Sequence, residues 1–138
     1  MYNEIQIKKL RIAAAHYDLE ASDMFWQCSE HKLKSVCNGC GPDCMSKSER
    51  SHLTHLLHRY APAYAIHDVD YEEHSITRKE SDKRMCKNML KIWRKDFGFW
   101  RWLSFAGIFN RVVVIPSSYS AVRQFGQQAW KTTKRRLK

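Results

Sequence analysis

Tyr64-Ala65-Ile66-His67-Asp68-Val69-Asp70-Tyr71 is the stretch on which the fold of this chain turns. An apolar run carries a histidine and an aspartate side by side, with a tyrosine four residues after the histidine. Pro62, just upstream, suits a first helical turn. A helix is therefore predicted over residues 61–75. On it His67, Tyr71 and His74 share a face by i,i+4 and i,i+3 spacing. Asp68 points about 100° away around the axis. Two ionisable side chains in an otherwise apolar run are costly to bury without a purpose.

Downstream, Thr77-x-x-Glu80 forms a capping box, the signature of a helix start. The second helix is predicted over residues 78–95, through Asp82, Met85, Cys86, Met89, Ile92 and Trp93. So short a connection makes the two helices antiparallel neighbours. It brings Asp82 back against the His67 helix without fixing which faces meet. An imidazole with its ordinary pKa of about 6.5 can take a proton from water near neutrality. Such a base works best when a carboxylate fixes its tautomer, as in the serine-protease triad. Asp82 is the candidate for that task. The plainer reading of His67 is a histidine satisfied inside a helical core.

Upstream lies Asn38-Gly39-Cys40-Gly41-Pro42-Asp43. Calcium takes about 6–8 oxygen ligands, carboxylates and backbone carbonyls among them. Glycines at alternate positions, Gly39 and Gly41, can turn their carbonyls inward. Asp68 and Asp43 can add side-chain oxygens. The plainer reading of the same segment is a surface turn before Pro42.

The chain has 138 residues, the length of one domain, residues 1–138, with a core of its own. Its net charge of +10 points to a polyanionic partner, anionic lipid or nucleic acid. Residues 4–20 read as an amphipathic helix with Ile5, Leu10, Ile12, Ala13, Tyr17 and Leu19 mostly on one side. No apolar h-region precedes it, so a signal peptide is not expected and the chain is read as made in the cytoplasm. Residues 27–52 are poor in large aliphatics and read as a long irregular loop, a kind of loop that usually serves function. Residues 96–115 are apolar and aromatic, but Arg101, Asn110 and Arg111 make them a poor membrane span. Beyond Pro116 a last amphipathic helix is expected over residues 117–131, with Tyr119, Val122, Phe125, Ala129 and Trp130 inward. A solvated basic tail, residues 131–138, would follow it.

Five cysteines and no secretory signal argue for reduced thiols. The spacing Cys28-x8-Cys37-x2-Cys40-x3-Cys44 leaves open a structural zinc, although only Cys37 and Cys40 form a close pair.

His67-Asp68-x-x-Tyr71 resembles the active-site helix of the phospholipase A2 superfamily. Asn38-Gly39-Cys40-Gly41-Pro42-Asp43 resembles its calcium loop. Ser81-Asp82-Lys83-Arg84 is similar to the segment with the second catalytic residue, as in the capsid-borne phospholipases of parvoviruses. Cys86-Lys87-Asn88-Met89-Leu90 and Tyr119-Ser120-Ala121-Val122-Arg123-Gln124-Phe125-Gly126 bring the chain closer to small phage and prophage members. The resemblance spans roughly residues 37–130. It implies an all-α fold with two antiparallel active-site helices and a calcium-binding loop over about residues 37–44.

It further implies calcium-dependent hydrolysis of the sn-2 acyl ester of glycerophospholipids. His67 would be the general base, Asp82 its orienting carboxylate, and Tyr71 the holder of the hydrogen-bond network. Asp68 would bind Ca2+ with loop oxygens near Cys37, Gly39 and Gly41. The loop departs from the secreted animal enzymes in having Pro42-Asp43 where they have a double glycine. Asp43 is then the candidate for the remaining ligand. Val69 and Asp70 stand where those enzymes have cysteines.

A phospholipid substrate and an anionic membrane surface are the expected partners, with no specific nucleic acid. Trp100 and Trp102 suit the bilayer boundary, and Arg135 and Arg136 suit its anionic face. The plainer reading of the aromatics is a filled core. Action would be at a membrane surface or in association with a virion. Two rivals remain: a catalytically inactive phage structural or accessory protein of the same fold, and a zinc-stapled nucleic-acid-binding protein.

Overall fold

The computed structural model describes residues 2–37, 57–99 and 103–136, with side chains as far as Lys134. Every regular element in them is helical, and no strand occurs among the described residues. Helix α1 (Glu4–His16) opens on a capping box between Asn3 and Gln6. Two short helices follow, α2 (Asp23–Gln27) and α3 (Glu30–Val36). A 3₁₀ turn, His58–Tyr60, leads into α4 (Ala61–Glu73). Then come α5 (Arg78–Phe97), α6 (Phe105–Phe109), a π-helical turn Asn110–Val114, and α7 (Ile115–Arg136).

Helix α4 is the centre of the molecule. Ten of its residues are buried, from Ala61 to Val69 and on through Asp70 and Tyr71, with Asp68 the break in the run. A helix buried on every side has no amphipathic stripe to read. It is packed by α1, α2, α3, α5 and α7. Pro62 sits in its first turn, as expected. His74 closes it in a left-handed conformation at φ 54°, with its N–H bonded to the Asp70 carbonyl at 3.1 Å.

Helix α5 begins at the expected capping box. Thr77 Oγ1 accepts from the Glu80 N–H, and Glu80 Oε2 accepts from the Thr77 N–H at 2.8 Å. It ends at Gly98, whose φ of +46° suits a residue without a Cβ. Its inward face is Met85, Asn88, Met89, Ile92 and Trp93. Trp93 Nε1 donates to the Gly107 carbonyl at 2.8 Å and ties α6 down. Asn88 is wholly buried and bonds both the N–H and the carbonyl of Glu20, at 2.9 and 2.8 Å. One side chain thus satisfies a backbone segment that has no ladder of its own.

Helix α7 runs along α4 in the same direction. Ser118 meets Tyr64 at 2.8 Å near the start of α4, and Thr133 meets His74 at 2.8 Å at its end.

Several elements depart from expectation. Helix α1 stops at His16 rather than near residue 20, and its buried face is Ile7, Leu10 and Ala14. Ile5 and Ile12 are 67% and 69% exposed, because the face that turns inward runs through Ile7, Leu10 and Ala14. Residues 27–37 are not irregular. Ser29 caps α3 by accepting from the Lys32 N–H, and Leu33 anchors it in the core with Val36 packed beside it. Helix α7 starts two residues before 117 and runs through Pro116. The adjacent π turn widens the ladder where proline has no N–H to give. It also continues to Arg136, so residues 131–136 belong to the helix, with Lys131 and Lys134 exposed as expected of the basic tail. Phe125 points out, 59% exposed.

Candidate active site

The site grows from the α4–α5 hairpin. His67 and Tyr71 lie one turn apart on α4, their rings 4.1 Å between centroids. Asp82 sits one turn into α5 and is fully buried. His67 Nε2 lies 2.9 Å from Asp82 Oδ1, and the Tyr71 hydroxyl donates to the same oxygen at 2.7 Å. Arg123 Nη1, from α7, donates to Asp82 Oδ2 at 2.8 Å. The structure therefore brings together His67, Asp82 and Tyr71 and adds Arg123.

Burial pushes the Asp82 carboxyl up. The hydrogen bonds from His67, Arg123 and Tyr71 outweigh it and hold the group below the usual carboxylate range. Asp82 is thus an ionised carboxylate at neutral pH and can only accept. His67 Nε2 must be the donor, so in a neutral imidazole the lone pair lies on Nδ1. Nδ1 has no hydrogen bond among the described residues. The Tyr71 hydroxyl is pushed well above its ordinary value by burial and then by the adjacent Asp82 charge, so it stays a donor.

Asp68 projects from the next position of α4 and is half-buried. It faces the residue where the 37–44 segment begins. Burial pushes the Cys37 thiol up, and the negative charge of Asp68 pushes it further. Cys37 itself is buried, its Sγ 3.7 Å from the Ala65 carbonyl one turn before Asp68. The Asp68 carboxylate is an oxygen donor of the kind that calcium takes. The residues present fit such an ion to that extent. Gly39, Gly41 and Asp43 lie outside the described residues, as do Cys40, Cys44, Trp100 and Trp102 and the side chains of Arg135 and Arg136. Among the described residues no three His, Cys, Asp or Glu side chains cluster as a metal cage.

A second buried charge lies beside the first. Asp70 is fully buried and accepts from Arg84 Nη1 at 2.7 Å, across the same hairpin. Burial lifts its carboxyl to about 6 even against the Arg84 charge. His74 lies on the side of Tyr71, packing on the same Trp130 at 4.0 Å, and it caps α4 rather than joining the hydrogen bonds at Asp82.

Sequence reasoning did not assign the contribution of α7. Trp130 meets the Tyr71 ring edge-on at 5.0 Å, and Thr133 Oγ1 donates to the Tyr71 carbonyl at 2.9 Å. A Cβ on Gly126 would lie 2.5 Å from the Tyr71 hydroxyl. Arg123 and Gly126 stand three apart in the segment Tyr119–Gly126, and that spacing on one helix face is the signal that could have found them. Comparison of the chain with protein-family models, with curated proteins and with solved structures gave no match.

Proposed function

We propose that this chain is a calcium-dependent phospholipase A2, of the kind found in phages and prophages, that hydrolyses the sn-2 acyl ester of glycerophospholipids. One observation carries the reading. A buried His67–Asp82 pair is held by Tyr71, and the next residue along the helix, Asp68, is a half-buried carboxylate close to Cys37.

Each residue then has a task. His67 Nδ1 removes a proton from water as the water oxygen attacks the ester carbonyl. Asp82 keeps the proton on Nε2 and stabilises the imidazolium that forms. Tyr71 keeps Asp82 ionised and in place. When the tetrahedral intermediate collapses, His67 returns the proton to the departing glycerol oxygen. A fatty acid and a lysophospholipid result, with no covalent enzyme intermediate. Bound calcium would supply a Lewis acid for the carbonyl and its oxyanion. Asp68 would hold it with oxygens of the 37–44 segment: Cys37, Gly39, Gly41 and Asp43.

The surface supports a lipid partner. Phe99, Leu103, Phe105, Ile108, Phe109, Val112 and Val113 are all exposed within one short stretch of chain. Such a concentration of apolar surface marks an interaction site. It is carried by a chain of net charge +10, which an anionic bilayer attracts. No helix among the described residues is long and apolar enough to cross a membrane, in keeping with action at a surface.

Fatty-acid release from mixed phospholipid vesicles, with calcium and with chelator, tests the reading. Release that needs calcium and is lost in His67→Gln supports it. Calcium binding without release would instead favour an inactive protein of the same fold.

A further inference from the structure

We propose that α7 sets the geometry of the catalytic pair: Arg123 is a positioning residue that fixes the rotation of the Asp82 carboxylate, and Gly126 is the space that lets Tyr71 reach it. The proposal rests on the reading of His67 as general base.

The two oxygens of Asp82 have separate partners. Oδ1 accepts from both His67 and Tyr71, at 2.9 and 2.7 Å. Oδ2 accepts from Arg123 at 2.8 Å. The terminal torsion of an aspartate is broad and two-fold. With two donors on one oxygen alone the group can swing, and the imidazole swings with it. A planar guanidinium on the other oxygen removes that freedom.

Arg123 is itself placed rather than loose. Its carbonyl accepts from Arg78 Nη1 at 3.3 Å, which ties this turn of α7 to the start of α5. Anchors lie on both sides of it, Ser118 on Tyr64 and Thr133 on the Tyr71 carbonyl.

Gly126 acts on the other donor. The Tyr71 ring is held between His67 at 4.1 Å and Trp130 at 5.0 Å, and its hydroxyl is tied to Asp82. An alanine methyl 2.5 Å from that hydroxyl leaves it no place to go except off Asp82. Arg123 and Gly126 thus act from one face of α7 on the two sides of one carboxylate.

The test uses the full-length chain with two independent readouts: kcat and KM for calcium-dependent fatty-acid release, and the proton resonance of the His67 Nε2–H. Arg123→Met keeps the length of the side chain and removes its donors. We expect kcat to fall about 10–100-fold, as when an orienting partner is lost, with KM nearly unchanged. The Nε2–H resonance should move toward that of a solvent-exposed imidazole. In Arg123→Ala, added guanidinium ion should recover part of both signals, which a merely structural role would not allow. Gly126→Ala should repeat the kcat loss and the resonance shift through Tyr71, and it carries the test if the Arg123 variants fail to fold. Wild-type kcat and resonance in Arg123→Met, or in a folded Gly126→Ala when that variant carries the test, would overturn the proposal. A wild-type chain that releases no fatty acid would overturn the phospholipase reading instead, and the resonance alone would then decide the role of α7.

Discussion

Replacing Tyr71 by phenylalanine removes one oxygen from the centre of the molecule and nothing else. The ring keeps its neighbours, His67 at 4.1 Å and Trp130 at 5.0 Å, so no cavity penalty arises. What is lost is a 2.7 Å hydrogen bond to a fully buried carboxylate. Bonds to charged groups contribute about 1.5–3 kcal/mol. The lower part of that range applies, because removing the hydroxyl also removes the cost of burying it. At this chain length a loss of that kind lowers Tm by roughly 3–4 °C per kcal/mol.

The pH dependence has a definite sign. The folded-state pKa of Asp82 lies below its ordinary value. Its contribution is therefore present above the unfolded carboxyl pKa of about 3.9 and lost as pH falls through the folded value. Tyr71 is one of the donors that depress it. The stability gap between wild type and Tyr71→Phe should be full at pH 7 and should narrow as pH falls below the ordinary carboxylate range. Urea titrations at a series of pH values measure it, with an unchanged slope as the control for intact compactness. A gap below about 0.5 kcal/mol at pH 7, under even the net worth of a neutral hydrogen bond, or one that stays constant into acid, would refute the reasoning.

Other outcomes follow from the site and the surface. His67→Gln should lower hydrolysis by about 10²–10⁴-fold while circular dichroism stays helical. Asp68→Asn should raise the calcium concentration needed for half-maximal binding far more than Asp82→Asn does, and equal losses would show the two aspartates misassigned. Lys131→Gln with Lys134→Gln should weaken binding to phosphatidylglycerol-rich vesicles by about 1 kcal/mol per charge and leave zwitterionic vesicles nearly unaffected. These substitutions are preferable to deleting residues 131–138, because Thr133 bonds the Tyr71 carbonyl. Thiol titration and elemental analysis should find Cys28 and Cys37 reduced, with no stoichiometric zinc.

The hairpin was legible because its signals are local. Pro62, the Thr77–Glu80 box and the short connection each act within a few residues, and together they carry Asp82 back to His67. The face of α1 was only partly legible: Leu10 is buried as expected, but with isoleucines at 5, 7 and 12 the pattern does not say that Ile7 turns inward and Ile5 and Ile12 outward. Helix α4 offered no periodicity, being buried all round. The part played by Arg123 and Gly126 could not be assigned, though both were visible in the sequence. The register of α7 against α4 and α5 is set by tertiary contacts such as Tyr64–Ser118, and no local pattern encodes it.

The bonds at Asp82 span unequal lengths of chain. His67 is 15 residues away and Tyr71 11, but Arg123 is 41. Synthesis runs from the N-terminus and short-range contacts close first. The base and its carboxylate can therefore meet while α7 is still being made, and the last oxygen of Asp82 is claimed only afterwards. If Arg123 positions the pair, a nascent chain carries an unfinished site. If the chain also cleaves lipid as proposed, that activity would stay low until α7 is complete, which would spare the membranes of the cell that makes it.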